Sequence, residues 1–520
     1  MNLLNDPWIP VLRSSGRRGL IAPWQLTDGV DGNKIVAVAS VRPDFDNSLL
    51  QFLIGLMQTV MPPVDEYEWG DRYDTPPAPQ IIRDGLQPWS GAFQLHGAGP
   101  RFLQDHEPLD GEAKSISALL MESPGGQTIR LNKDHFQKRD RITGLCECCT
   151  AAALLSLQTN APSGGKGHRT SMRGGGPLTT LVLPADGELP SLWRMVWANV
   201  LPASAVAKTT PVAPTDDVLP WLGSTRASDR GQTTTPLDVH PLQAFWGMPR
   251  RIRIQDPDGS EHACSLCGAL GPQCQSYVTR PYGTNYTGAW RHPLSPYRRG
   301  ADGLPICLHP GQSGLGYRDW PRYVFGDQVG GLPATVVHAA ITRAPRYRRL
   351  GQRLRMHVSG YDMDKMKARC WYETTMPVFV LNEDQQTKFA AEVQGLVDAA
   401  GQIAANLTQA VRDAWFDSGP GRKGPDTTFL RRDFLAATEP RFFDELAAVH
   451  DRFLGSASEA QATGERWHRG LCRMALEQFD RIVGSARIEH EDPKKYAKAR
   501  ANLIRFNNGK KIKDLLGVAI

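Results

Sequence analysis

Two cysteine pairs hold the clearest chemistry in this chain: Cys146-Glu-Cys-Cys149 and Cys264-Ser-Leu-Cys267. Thiolates spaced in this way can turn toward one ion, and two such knuckles close a tetrahedral site around zinc. With sulfur in all four positions no place remains for a substrate water, so the expected role is a structural clamp. It would pin two segments separated by 114 residues. The alternative is a set of unrelated buried thiols, and Cys148 could replace a neighbour as ligand. Cys274, Cys307, Cys370 and Cys472 have no paired spacing and are expected in the core. The N-terminus has no basic region followed by an apolar run, so no secretory signal is visible. Disulfides are therefore not expected, and the chain reads as a soluble cytoplasmic protein.

Between the knuckles lies the densest run of unusual backbone, Ser163-Gly-Gly-Lys-Gly-His-Arg169 followed by Arg173-Gly-Gly-Gly176. Glycines around Lys166 leave amide N–H groups uncovered, so the main chain can approach a phosphate or a nucleic-acid groove. The order is not that of a phosphate-binding P-loop. A flexible surface loop is the competing reading. Basic residues cluster in Arg130–Arg141, in Thr342–Tyr361 and in the acid-free run from Lys494 to Lys513. Each alone reads as a solvated face, but together they favour phosphate contacts. The first 112 residues carry 8 basic and 15 acidic side chains, a net −7, which leaves +13 on the remainder. Catalytic patterns are absent: no H-E-x-x-H, no G-x-S-x-G, and only a lone His450-Asp451 pair that reads as a surface feature.

These groups need a scaffold of 520 residues, enough for two to four domains at roughly 150 residues each. Glycine and proline supply 50 and 39 residues, so much of the fold should be loop. The most apolar stretch, Leu49–Met61, is interrupted by Gln51 and Gln58 and is too short to span a bilayer. It reads as an amphipathic helix capped by Asn47 or Ser48. Trp246–Ile254 ends in an alternating apolar/basic pattern, that of a half-exposed strand. After Pro377 the pattern changes to helical periods: Phe389 to Trp415, Phe442 to Phe453 with Thr438 as cap and Pro440 in its first turn, Trp467 to Ile482, and from Tyr496 onward. The expected class is α+β: a large irregular mixed domain over 1–376 with a structural zinc site, then a C-terminal four-helix bundle over 377–520.

The chain also resembles a known family. Its opening Asn2-Leu-Leu-Asn-Asp-Pro-Trp-Ile-Pro-Val11 is similar to the N-terminus of the large subunit of the type I-E CRISPR Cascade complex, the CasA family. Further landmarks follow in the same order: the first knuckle, Asn160-Ala-Pro, the glycine loop, Arg173-Gly-Gly-Gly-Pro-Leu-Thr-Thr180, Phe245-Trp-Gly-Met-Pro249, the second knuckle and Trp290-Arg-His-Pro-Leu-Ser-Pro296. The resemblance implies a non-catalytic subunit that reads the protospacer-adjacent motif (PAM) of double-stranded DNA from the minor groove. It also implies help in opening the duplex into an R-loop, holding of the displaced single strand, and recruitment of a helicase-nuclease. The other Cascade subunits and the CRISPR RNA would be its partners. Guide pairing would supply most of the specificity, a division described for a different RNA-guided effector. Minor-groove edges encode little, so a few polar tips and a loop of amides suffice there.

By position, Gly164, Gly165, Lys166, Gly167 and His168 match the family's PAM-contacting loop. Asn132 and Lys133 match the loop that meets the 5′ handle of the guide RNA and a neighbouring subunit. Cys146, Cys149, Cys264 and Cys267 match its zinc ligands. The family's lysine finger has no lysine here, which leaves Arg280 as the candidate. Its glutamine wedge is replaced after Gly360-Tyr361 by a tip carrying Asp364 and Lys365. The rival readings are a zinc-dependent nuclease or nucleic-acid-modifying enzyme, and an RNA-binding scaffold without DNA contact.

Overall fold

A computed structural model describes every residue except 135–138, 166, 186–188, 258, 327–329, 417–425, 456–459, 485–491 and 519–520. The chain forms two compact units: Met1–Pro310 with Ala334–Glu373, and Gly311–Pro333 with Thr374–Ile520. No helix among the described residues is long and apolar enough to cross a membrane.

The larger unit mixes short sheets with helices, as the α+β expectation requires. Its opening residues fold into a turn. Asn2 Oδ1 accepts from the Leu4 and Asn5 amides (3.0 and 3.1 Å), while Asp6 accepts from the Asn2 amide (2.7 Å). That turn delivers Trp8, whose Nε1 donates to Leu3 O (2.8 Å), onto Phe52 in edge-to-face contact. Phe93, Phe102, Trp221 and Trp246 complete the aromatic core.

The helix that carries Phe52 runs Pro43–Val60 and starts earlier than Asn47 or Ser48. Pro43 presets the first-turn dihedral, and Asp44 and Asp46 sit at the positive helix end, so the start needs no side-chain cap. Asn47 is instead buried and donates to Ser359 Oγ (2.6 Å). Gln51 accepts from Arg173 (2.6 Å), and Gln58 exchanges two hydrogen bonds with the Leu201 backbone (2.8 and 2.7 Å). The two glutamines are thus paired core residues.

The alternating stretch forms the strand Arg251–Ile254, with Ile252 and Ile254 buried, and pairs antiparallel with Ser276–Arg280. A second three-stranded sheet places Arg353–Asp364 between Thr179–Ala185 and Lys367–Pro377.

In the smaller unit the helix Glu383–Trp415 packs against Thr428–Phe453, Ala460–Gly484 and Pro493–Asn507, an arrangement consistent with a bundle. Thr438 and Pro440 do not begin the second helix but lie inside it. The interior proline forfeits a hydrogen bond, at a cost of about 3 kcal/mol in an isolated helix. Packing offsets that loss: Tyr317 stacks on Phe442 (4.3 Å between ring centroids) and exchanges a hydroxyl hydrogen bond with Thr438 (2.9 Å). Trp467, fully buried, donates to Leu396 O (3.0 Å). Trp467→Ala should therefore cost about 3–5 kcal/mol, measured by urea unfolding. Gly395 and Gly464 provide notches for the chain's last turns. A Cβ on either would stand 2.4 Å from the carbonyl oxygen of Leu515 or Leu516 respectively.

Candidate metal centre and nucleic-acid interface

The first knuckle forms where a short strand meets a helix. Leu145–Cys146 pairs with Leu270–Cys274, and Cys146 caps the helix Glu147–Asn160, its Sγ accepting from the Cys149 amide (3.5 Å). The second knuckle is the turn joining Glu261–Ala263 to Leu270–Cys274. Gly268, at φ +75°, donates to Cys264 O (2.9 Å) and closes that turn. Ser265 locks the knuckles together: its amide donates to Gly144 O (3.0 Å), and its Oγ accepts from the Thr143 and Gly144 amides (3.2 and 3.3 Å).

The four Sγ atoms of Cys146, Cys149, Cys264 and Cys267 consequently lie within 4.8 Å of one another, with Cys146 and Cys267 3.6 Å apart. Metal–sulfur bonds of about 2.3 Å imply tetrahedron edges of about 3.8 Å, so the set can hold a tetrahedral metal ion. Hydrogen bonds from Cys148, Cys149 and Cys264 hold the Cys146 thiol far below its ordinary range. The bonds to Cys146, with burial, push Cys148 and Cys149 up. Cys148 touches Cys146 but lies outside the set of four. Cys274 and Cys307 are buried as expected and Cys472 is half-buried. Cys370 is exposed, because its strand Lys367–Pro377 forms a sheet edge.

The glycine loop is closed by its own main chain. Gly164 donates to His168 O and His168 donates to Gly165 O, both at 3.2 Å. Gly165 and Gly167 take left-handed dihedrals (φ +83° and +75°), which favours glycine. Crowding acts at Gly164, where a Cβ would lie 2.5 Å from His168 Cβ and 2.2 Å from Arg250 Nη1. One at Gly167 would lie 2.8 Å from Pro281 Cβ. The Tyr282 amide donates to Gly167 O (2.6 Å), which ties the loop to the segment leaving strand Ser276–Arg280. Arg280, at the strand's end, is exposed and donates to Asp110 O (2.9 Å). Lys166 lies outside the described residues.

Burial, then Arg250 and Lys114, push the His168 imidazole down to about 4. The unfolded chain would titrate it near about 6.5, so between those values the unfolded state binds more protons. Its contribution is therefore full above the unfolded value and is lost as pH falls through the folded one. His292 and His309 are lowered by the same cause and add in the same direction. His168→Gln should flatten, without abolishing, the acid-side loss of stability seen in urea unfolding across that window.

Asp364 and Lys365 sit at the tip of the hairpin made by Arg353–Asp364 and Lys367–Pro377, with Lys365 left-handed at φ +56°. The strands just behind the tip are fixed: Tyr361 donates to Asp44 Oδ2 (2.7 Å), and Arg369 pairs with Asp362 (2.6 Å). A cavity of about 570 Å³ is lined by Gly164 and His168 of the glycine loop, by Met366 beside Lys365, and by Gly126 and Ile129 below the Asn132 loop. The loop and the hairpin tip thus meet at one concavity, and Arg280 follows its lining residue Thr279. Asn132 is left-handed (φ +50°), and its Oδ1 accepts from Arg139 (2.9 Å). Lys133 is exposed, and its amide donates to Thr128 O (2.9 Å). Residues 135–138 of that basic stretch lie outside the described residues.

Part of the arginine-rich stretch is unavailable to phosphates. Arg343 is buried over the Trp69 ring (3.8 Å) and paired with Glu66 (2.8 Å), and Arg346 pairs with Asp74 (2.9 Å). Arg348, Arg349, Arg353 and Arg355 are exposed. Arg343→Met should lower stability by about 2–3 kcal/mol in urea unfolding, a buried-pair loss moderated by Glu66's access to water. Arg250, buried behind the glycine loop, escaped sequence reasoning. Its only signal was its place just before the inward-facing Ile252.

Several solved structures share this fold. CasA of Thermus thermophilus superposes with a TM-score of 0.70 at 19% identity, over 98% of this chain and 99% of that one. Cse1 of Acidimicrobium ferrooxidans gives 0.67 at 16%, over 99% and 98%. A chain of a CRISPR RNA-guided surveillance complex gives 0.65 at 13%, over 98% and 99%. At sequence level, residues 2–478 match the family described as CRISPR-associated protein Cse1. A match over that length takes in both knuckles, the glycine loop and most of the C-terminal helices, and the chain belongs to the CRISPR-associated protein Cse1 family.

Proposed function

We propose that the chain is the non-catalytic large subunit of a type I-E CRISPR RNA-guided surveillance complex. In this reading it recognises the PAM on double-stranded DNA, promotes duplex opening and recruits the helicase-nuclease. Family membership supports the first part, together with a structural relative described as a surveillance complex. The observation that carries the second is the convergence of the glycine loop and the hairpin tip on one concavity.

The main-chain N–H groups of Gly165 and Gly167 and the neutral His168 ring would approach the minor-groove edges. Left-handed glycines keep side chains out of the way there. Arg280 would serve in the finger's place, its guanidinium trading Asp110 for a DNA acceptor. Asp364 and Lys365 would occupy the space of the first base pair, on a hairpin anchored by Tyr361 just behind its tip. Asn132 and Lys133 would face the 5′ handle of the guide RNA, and the C-terminal bundle the displaced strand. The four cysteines would hold zinc as a closed site. That metal supplies folding energy and no reactive position.

The test measures binding of the assembled complex to guide-matched duplexes with and without the PAM, over a salt series. Expected are a preference for the PAM-bearing duplex and a steep fall of affinity with salt. Arg280→Ala should reduce the log–log salt slope by about 1. Equal affinity for both duplexes would overturn the assignment.

A further inference from the structure

The cavity behind the glycine loop has a charged wall that minor-groove reading does not use. Arg250 is 8% exposed. Its Nη2 donates to Pro162 O and its amide donates to Gln158 Oε1 (3.0 Å). Nε has no hydrogen-bond partner among the described residues. No carboxylate among the described residues pairs with it either, and burial brings the guanidinium down only to about 10, so it stays charged at neutral pH. A buried cation without a counter-ion is expensive. Lys114 and the largely buried phenol of Tyr277 line the same cavity, and its one lining carboxylate, Glu112, is exposed.

We infer that this cavity is an anion subsite that takes one phosphate group on Arg250, with Lys114 and the Tyr277 hydroxyl as further donors. A phosphate fits because its oxygens can accept from a guanidinium, an ammonium and a phenol together, and charge-assisted hydrogen bonds are the strong ones. The group could be a backbone phosphate of a duplex seated on the loop, or a free phosphate. Only the first source rests on the function proposed above.

Thermal unfolding of the purified chain in inorganic phosphate, against chloride at matched ionic strength, tests the subsite directly. The midpoint should rise with phosphate concentration, as binding to the folded state requires. Lys114→Ala and Tyr277→Phe should keep the chloride midpoint and weaken the phosphate affinity about tenfold each. Arg250→Gln should abolish the response. Should that variant fail to fold, the two peripheral variants still decide. Equal wild-type midpoints in both salts, or a response that Lys114→Ala and Tyr277→Phe leave intact, would overturn the proposal.

The same two variants, assembled into the complex and tested on PAM-bearing duplex, separate the sources. Parallel loss of duplex affinity assigns the site to a backbone phosphate, and unchanged duplex affinity assigns it to a free one. A phosphate response in a chain whose complex ignores the PAM would keep the subsite while sinking the proposed function.

Discussion

Cys264→Ser is expected to lower the unfolding midpoint of the chain by more than about 10 °C, and a strong chelator should do the same to the unaltered protein. Structural zinc in small peptides contributes about 10–16 kcal/mol, while whole domains are stable by only about 5–15 kcal/mol, so a fraction of the former is decisive. Cys264 is 3% exposed, and the knuckles cross-link strands and a helix that otherwise share only short ladders. Elemental analysis should find close to one zinc per chain, and none after the substitution. Cys370→Ser, at an exposed edge strand, should change neither reading. A metal-free chain with an unaltered midpoint would remove the clamp.

Gly164→Ala should cost the assembled complex about tenfold to a hundredfold in affinity for PAM-bearing duplex, roughly 1.4–2.8 kcal/mol at 1.4 per decade. The added Cβ would press on Arg250 Nη1 at 2.2 Å and on His168 Cβ at 2.5 Å, so the loop must shift off its wall. Overpacking of this kind costs about 1–3 kcal/mol of stability, which leaves the chain folded. Gly165→Ala, with open space around it but φ +83°, should be milder because only backbone strain of about 1–2 kcal/mol arises. Gly231→Ala, in open space at φ +85°, controls for that strain. Competition binding on duplexes with and without the PAM reads the difference. An equal loss on both duplexes would mean that the loop does not discriminate.

What could be read from residue order depended on how local the deciding physics was. The knuckles were legible because two ligands three positions apart already carry the chemistry. The strand Arg251–Ile254 was legible because its alternation is set by one buried face. The start of the helix Pro43–Val60 was misplaced, because polar Asn47 and Ser48 look like caps until Ser359 and Arg173 are seen to satisfy the buried polar residues of that helix. Thr438 and Pro440 misled for the same reason: a proline reads as a helix start until Tyr317, distant in sequence, is seen to bond Thr438 and stack on Phe442 within one continuous helix. Arg343 looked like a phosphate ligand, and only Glu66 and Trp69 reveal it as core. Arg250 needed Gly164 as a neighbour before either made sense.

The chain passes from one unit to the other three times, since Gly311–Pro333 interrupts the larger unit and belongs with the C-terminal helices. Severing the polypeptide near Thr374 would therefore leave a fragment without Tyr317. It would bare the faces of Phe442 and Trp467 that Tyr317 covers. Such a fragment should be sticky and prone to self-association. Supplied in trans, a peptide spanning 311–333 is its natural remedy, and the two pieces should reassemble as a split protein.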